Sequence, residues 1–316
     1  MAENNFEVLI IGAGPAAWGA ATFLSRANVK TLVIGDPAQS GLMDASEVWN
    51  YPGFPSGISG RELLEQMQTG AVKQGAQFLP GEVVHAELLR ATGYEQQPGN
   101  FLVRTAHREN FQARYILLAH GANFIKTNLP GEKELVGKGV HYCALCDGPL
   151  YKGKEVLVLG NGNLAAEEAL QLVGMGAKVP RIITHAISAN ISAEYQELLR
   201  AQKIEVAVGK AEKFEPGTIT HIRQADGGMQ LQTAGAVFVA LGVASSLTFA
   251  QKLGLEMNGN FLKADENGRT NVVGVWVAGL ARGGVNQIGK SVGEGTVAAV
   301  DIIKAVKGLP QYLDHS

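Results

Sequence analysis

Cysteine is nearly missing from this chain. Two of the 316 residues are Cys, so the disulfide framework that staples small secreted domains is not available to it. An excess of one charge is missing too. The formal net charge of −2 at pH 7 offers no basic surface for nucleic acid or an anionic membrane, and neither is expected as a partner. The longest apolar runs lie near 236–244 and 275–281, far short of the roughly 18 residues of a membrane-spanning helix. The opening MAENNFEVLIIGAG has no basic leader and starts a strand at once, which leads us to expect a cytoplasmic protein. Pro/Ser linkers and low-complexity tracts are also lacking. With 46% hydrophobic and 18% charged residues, neither disorder nor a collagen-like fibre fits. The length suits about two domains.

Glycine is what the chain has in excess: 40 residues, against an average of about 7%. Short β-branched runs alternate with helical stretches, the pattern of an α/β fold with parallel sheets. One unit occurs twice. Val8-Leu9-Ile10-Ile11 meets Gly12-Ala13-Gly14-Pro15-Ala16-Ala17, then a helical stretch to about Ala27 and a strand at Thr31–Ile34. Val156-Leu157-Val158-Leu159 meets Gly160-Asn161-Gly162-Asn163-Leu164-Ala165, then a helical stretch to about Val173 and a strand at Arg181–Thr184. Two copies of G-x-G-x-x-(G/A) between strand and helix carry far more weight than one. The first glycine makes the bend, the second admits a pyrophosphate, and the small third residue lets helix and strand pack. The helix N-terminus then offers N–H groups and a positive dipole end. A turn that binds nothing is the alternative at each copy. Asp36 stands where a ribose-binding carboxylate is expected, and a plain turn role explains it equally well. The second copy runs into Thr184-His185-Ala186-Ile187, with neither a carboxylate for a ribose nor a basic cluster for a 2′-phosphate.

Similar strand–glycine endings occur at Tyr115–Ala122, Val237–Gly242 and Gly274–Leu280, the last followed by a helical stretch at about Gln287–Val306. These endings are where ligands meet open α/β sheets. They suggest a discontinuous first domain, residues 1–121 with 247–316, around an inserted one, residues 122–246.

The two cysteines fall in His141-Tyr142-Cys143-Ala144-Leu145-Cys146-Asp147-Gly148. Cys-x-x-Cys is the spacing at which two thiols close and reopen a small disulfide ring. A metal would need further ligands, and the seven histidines show no such spacing. Two inert buried cysteines fit the loop-like Gly/Asp context poorly. Asp147 suits a proton shuttle for the thiols; an Asp-Gly turn residue is its plainer reading.

Together these residues resemble the low-molecular-weight thioredoxin reductase family along nearly the whole chain. The resemblance rests on Gly12-Ala13-Gly14-Pro15-Ala16, Glu47–Phe54, Cys143–Gly148, Gly160–Asn163 with Glu167-Glu168-Ala169, and Gly293–Ala299. It implies two Rossmann-like (FAD/NAD(P)-type) domains, one inserted in the other. The first would be the FAD-binding domain, and the second a pyridine-nucleotide-type domain carrying the Cys pair. It implies a homodimer that passes electrons from FAD to the Cys143–Cys146 disulfide and on to a thioredoxin-like disulfide protein. Cys146 would face the flavin, Cys143 would attack the partner and Asp147 would move the proton. FAD would contact Gly12, Ala13, Gly14, Pro15 and Ala16. Also carried over as cofactor positions are Asp36, Gly41, Leu42, Asn50, Val83, Ala119, His120, Gly121, Gly279, Gln287 and Ile288. Gly160, Gly162 and Asn163 would form the second nucleotide turn.

Four departures from the family pattern stand out. The His-Arg-Arg run that grips the NADPH 2′-phosphate reads His185-Ala186-Ile187, which removes the charge-assisted bonds to a dianion. The Gly-Asp that holds the flavin's ribityl chain reads Gly279-Leu280. Ala-Thr-Gly reads Ala119-His120-Gly121, where His120 either meets a ligand or fills the turn. The arginine before the flavin-contacting glutamine is Asn286. These departures resemble the branch of diflavin-linked disulfide oxidoreductases, with a second FAD in the other domain; a branch fed by ferredoxin also lacks the arginine grip. The expected activity is therefore a thioredoxin-reductase-like flavoprotein disulfide oxidoreductase whose donor is a second flavin or ferredoxin, not NADPH. The alternatives are an NAD(P)H-dependent reductase with a different nucleotide grip, and a flavin-bound redox-sensing module without turnover.

Overall fold

The computed structural model describes residues 4–89, 100–244 and 253–310. The chain divides into two compact units, residues 1–123 with 244–316, and residues 124–243. The change of domain expected at 246/247 lies outside the described residues. Both units are α/β with parallel, Rossmann-like sheets.

The first unit opens with β1 (Asn5–Ile11), α1 (Pro15–Arg26) and β2 (Thr31–Gly35). There follow α2 (Gly60–Lys73), β3 (Gln77–Pro80), β4 (Val83–Leu89), β5 (Asn100–Thr105) and β6 (Asn110–Leu118). Strand Val275–Val277 and the long helix Ile288–Lys307 complete it. The sheet order is β3-β2-β1-β6-β5-β4. β6 is shared lengthwise. Its first half pairs antiparallel with β5, and Ile116–Leu118 pair parallel with Val275–Val277. The carboxyl ends of β1, β2, β6 and Val275–Val277 thus point the same way.

β1 shows why its apolar run is unbroken. Val8 and Ile10 pack under α1 and the long helix, whereas Leu9 and Ile11 pack with Ala86, Phe101 and Val103 of β4 and β5. Successive side chains leave opposite faces of a strand, and a sheet covered on both faces needs apolar residues at every position. α1 is built from small residues because it lies close to the long helix. A Cβ on Gly295 would stand 2.2 Å from the Ala16 carbonyl oxygen.

In the second unit five parallel strands take the order Glu205–Ala207, Arg181–Ile183, Val156–Leu159, Ala236–Val239, Val140–His141. Val156 and Val158 face the helix Asn163–Gly174. Leu157 and Leu159 face an antiparallel layer through Ala211, Phe214 and Ile222. The arrangement of the first unit is repeated, with helices on one face and antiparallel strands on the other.

The long helix is locked to its sheet by a buried carboxylate. Asp301 accepts from Arg269 Nε at 2.5 Å, Arg269 Nη2 at 2.7 Å and Trp276 Nε1 at 2.9 Å. Asp301→Ala removes one partner and leaves the Trp276 N–H unsatisfied. A loss of about 2–4 kcal/mol is expected, measurable as a lower urea midpoint with an unchanged slope.

Candidate active site

The first turn is set by a close approach. Gly12 donates its N–H to the Ile34 carbonyl at 2.8 Å, and Ala119 donates to Ile11 at 2.8 Å. Gly12 has φ +115°, and a Cβ there would stand 2.3 Å from the Ala119 oxygen. Only glycine satisfies both constraints. The buried Trp18 donates its Nε1–H to the Ala13 carbonyl at 2.8 Å, which pins the turn to α1. Gly14 caps α1 in extended conformation with no side-chain cap, and Pro15 follows. The first-turn N–H groups and the positive dipole end therefore face outward. The space before them is open. A Cβ on Gly14 would meet only Ser40 Oγ, at 3.6 Å, and one on Gly41 or Gly121 would meet nothing within 4 Å. This cradle fits the pyrophosphate of FAD.

The other expected cofactor positions gather around the same sheet end. Asp36 caps the short helix Pro37–Gln39, accepting the Ala38 N–H at 3.0 Å and Gln39 Nε2 at 3.5 Å, so its turn role is realised. The Gly81 N–H donates to the Gly35 carbonyl at 3.2 Å, tying the loop before Val83 to the end of β2; Val83 itself opens β4 and is half-buried. Leu42 is buried in the short helix Gly41–Asp44. Asn50 Nδ2 donates to Gln287 Oε1 at 3.0 Å, joining positions 237 residues apart. Ile288 then starts the long helix. Burial pushes the pKa of His120 down to about 4, so its ring is neutral at neutral pH. Gly279, whose usual Asp neighbour is here Leu280, is held by other means. Its N–H donates to Glu294 Oε2 at 2.9 Å, and Lys290 Nζ donates to its carbonyl at 3.2 Å.

The second turn repeats the first. Gly160 donates to Ile183 at 2.8 Å, Ala240 donates to Leu159 at 2.7 Å, and a Cβ on Gly160 would stand 2.3 Å from the Ala240 oxygen. Gly162 is an extended N-cap without a side-chain cap, and Asn163 opens the helix. The loop after Arg181–Ile183 folds onto this turn. Asn190 donates its N–H to the Asn161 carbonyl at 2.6 Å, and Ser192 donates to Asn163 Oδ1 at 2.8 Å. Where the family carries arginines, His185 has φ 53° and its Nδ1 accepts the Ala211 N–H at 3.1 Å. Burial, then the charge of Lys210, lowers the His185 pKa. Ile187 is 98% exposed.

The redox pair stands at the same carboxyl end of this sheet, just after Val140–His141. Cys143 and Cys146 form a disulfide with Cα atoms 5.3 Å apart. Cys143 caps the single turn Ala144–Asp147, and its Sγ accepts the Cys146 N–H at 3.2 Å. An N–H aimed at sulfur favours the thiolate, the nucleophilic form. Cys146 is exposed and Cys143 partly buried. Asp147 Oδ2 lies 3.0 Å from His141 Nδ1, and His141 Nε2 lies 2.7 Å from Tyr151 Oη. The Ala144 N–H donates to Glu168 Oε2 at 2.5 Å. Burial raises the Glu168 pKa to about 7, against the Ala144 bond and helped by Glu167 and Asp147. Asp147 is legible in the sequence from its place after Cys146, whereas the contacts of His141, Tyr151 and Glu168 emerge only from the fold. His141, two residues before Cys143, was the available signal.

Fold and site together define an FAD-dependent disulfide oxidoreductase, and comparison with known proteins agrees. Residues 6–295 match the family described as pyridine nucleotide-disulphide oxidoreductase. The chain is 32% identical to a thioredoxin reductase of Bacillus subtilis (strain 168), over 98% of each chain. Its fold is similar to the solved thioredoxin reductase of Streptococcus pyogenes MGAS5005, with TM-score 0.87, 25% identity, and 98% of this chain and 100% of that one covered. It is also similar to the thioredoxin reductase of Giardia duodenalis, with TM-score 0.86, 29% identity and coverage of 96% and 99%. The chain belongs to the low-molecular-weight thioredoxin reductase family.

Glu168 yields a prediction with a definite sign. Its folded pKa of about 7 lies above the roughly 4.3 of an unfolded Glu. Between those values the folded state holds more protons, so stability is full below the unfolded value and falls as pH rises to about 7. Glu168→Gln keeps an acceptor for the Ala144 N–H without the charge. It is expected to flatten that decline, read from urea midpoints at about pH 5 and about pH 8.

Proposed function

We propose that this protein is a homodimeric cytoplasmic enzyme that reduces a thioredoxin-like disulfide protein with electrons from a donor other than NADPH. Gly12–Ala16 would hold FAD, with Asn50, Gln287 and Ile288 toward its ring, and the bound flavin would supply the electron pair that opens the Cys143–Cys146 disulfide. The sulfur–sulfur bond breaks, and the two sulfurs take up two protons, one of them through Asp147. Cys143 releases its proton to water and, as the thiolate, attacks the partner's disulfide, forming a mixed disulfide and expelling one partner thiolate, which takes up a proton in turn. Cys146 loses its proton to Asp147 and attacks Cys143, which restores the original disulfide and frees the second partner thiol. The N–H of Cys146 at the Cys143 sulfur supports Cys143 as the attacking group.

The donor assignment is carried by one observation, the loop Thr184–Ile187. It presents no guanidinium, its His185 ring is engaged by a backbone N–H, and its outermost side chain is a bare isoleucine. A 2′-phosphate needs charge-assisted donors there. The intact Gly160–Asn163 turn suits an adenine dinucleotide without that phosphate, a second FAD. A ferredoxin-type protein is the other donor consistent with the missing grip. One feature favours a second reading, NAD(P)H-dependent reduction: Lys210 lies close enough to His185 to depress its pKa, and a lysine can hold a phosphate as a point charge.

Flavin content and NADPH titration of the purified protein test this. The flavin band is expected to resist micromolar NADPH under anaerobic conditions. A flavin:protein ratio near two supports the second flavin, and a ratio near one the external protein donor. Rapid bleaching by NADPH, abolished in Lys210→Ala, would replace this reading with the second.

A further inference from the structure

His141 is buried in a core position, yet both of its ring nitrogens are engaged. Its side chain is 2% exposed. Nδ1 lies 3.0 Å from Asp147 Oδ2, and Nε2 lies 2.7 Å from Tyr151 Oη. The ring is fixed from two sides, stacked on Phe238 with centroids 5.3 Å apart and met edgewise by Tyr151 at 5.2 Å. Tyr151 is itself partly exposed and packs edge-on against Phe238 at 5.8 Å. Carboxylate, imidazole and phenol thus stand in one line of polar contacts that begins at the residue after Cys146: a hydrogen bond between His141 and Tyr151, and a 3.0 Å nitrogen–oxygen contact between His141 and Asp147. A core histidine kept only for its shape would not need two polar partners aligned on its two nitrogens.

We propose that Tyr151 and His141 are a proton path that reloads and empties Asp147. The proposal rests on the reading of Asp147 as the proton shuttle of the Cys pair. Two arrangements of the line are chemically equivalent in quality. In one, Nδ1–H donates to the Asp147 carboxylate and Tyr151 donates its hydroxyl to Nε2. In the other, protonated Asp147 donates to Nδ1 and Nε2–H donates to Tyr151 Oη. They differ by one proton, and the imidazole is neutral in both. A proton from water enters at Tyr151 Oη, the phenol's own proton moves to Nε2, and the Nδ1 proton moves to Asp147. Asp147 then protonates the thiolate formed when the Cys143–Cys146 bond accepts two electrons. Run in reverse, the path carries off the proton that Cys146 loses when it resolves a mixed disulfide. The path has a purpose that direct exchange with water does not serve. Asp147 is only 20% exposed, which restricts its direct proton exchange with water in the free protein as well as in a complex. Other titratable groups near by include Glu168, whose carboxyl feels Glu167 and Asp147, and Lys154, whose Nζ lies 5.3 Å from the Tyr151 ring centre. His141 acts through Asp147 and is a positioning and relay residue.

The test uses the full-length protein reduced to two free thiols, freed of reductant, and mixed with the aromatic disulfide dithiobis(nitrobenzoate) in a stopped-flow instrument. The first coloured thiolate reports attack on the reagent, with a rate proportional to its concentration. The second reports resolution within the Cys pair, independent of that concentration. Asp147→Asn is expected to slow the second phase about 100-fold. Tyr151→Phe and His141→Gln are expected to slow it about tenfold, leaving the first phase within about twofold. Gln can keep both hydrogen bonds but cannot exchange one proton for another. Added imidazole is expected to restore the second phase in Tyr151→Phe and leave the parent protein unchanged, which a packing defect would not do. If His141→Gln and Tyr151→Phe match the parent while Asp147→Asn is slow, the path is wrong and the Asp147 reading stands. If Asp147→Asn is also fast, the shuttle reading falls and takes the path with it.

Discussion

The structure depends on a single close contact used twice: a glycine pressed against the carbonyl that ends the neighbouring parallel strand. Gly12 meets Ala119 and Gly160 meets Ala240 at the same 2.3 Å, measured to the position a Cβ would occupy. That contact decides how soon the chain can bend after a strand. It therefore decides where the following helix starts and which way its uncapped N–H groups point. The rest of each site is arranged around that helix end. In the first unit the ends of β2 and β6 and the start of the long helix converge there. In the second, the loop of residues 184–192 and the strand leading to Cys143 do so.

Electrostatics around the Cys pair follows from the same geometry. Because the pair stands at the carboxyl end of a sheet, the helix beginning at Asn163 brings Glu168 up against the Ala144 N–H. A buried carboxyl is thus placed next to Asp147, and their mutual repulsion with Glu167 adds to burial in favouring the neutral form of Glu168. A carboxyl that exchanges its proton near neutrality, Glu168, accordingly stands against the helical turn that carries the disulfide. Such a group suits a centre that must take up and release protons with each pair of electrons.

Local chemistry was the most legible part of the sequence. Both glycine turns, the strands before them and the Cys-x-x-Cys spacing could be read because each is fixed by residues within a few positions of one another. The contact of Asn50 with Gln287 was reachable only through family resemblance, since 237 residues separate them. His141 and Tyr151 were hidden for a different reason. They are ten residues apart, with a strand end, a disulfide and a single helical turn between them, and no periodic pattern announces that they meet. Glu168 was invisible as a partner of Ala144 because the contact depends on how a helix crosses a sheet end. Glu294 and Lys290, which secure Gly279 where the usual aspartate is missing, sit on a helix whose spacing shows a pair but not its target.

The loop against the second turn is held by main-chain N–H groups of Asn190 and Ser192, whereas the His185 ring is engaged by the Ala211 N–H. The placement of the loop is therefore encoded in main-chain atoms. Substitutions of the Ala186 or Ile187 side chains leave in place the main-chain bonds that fold this loop onto the turn.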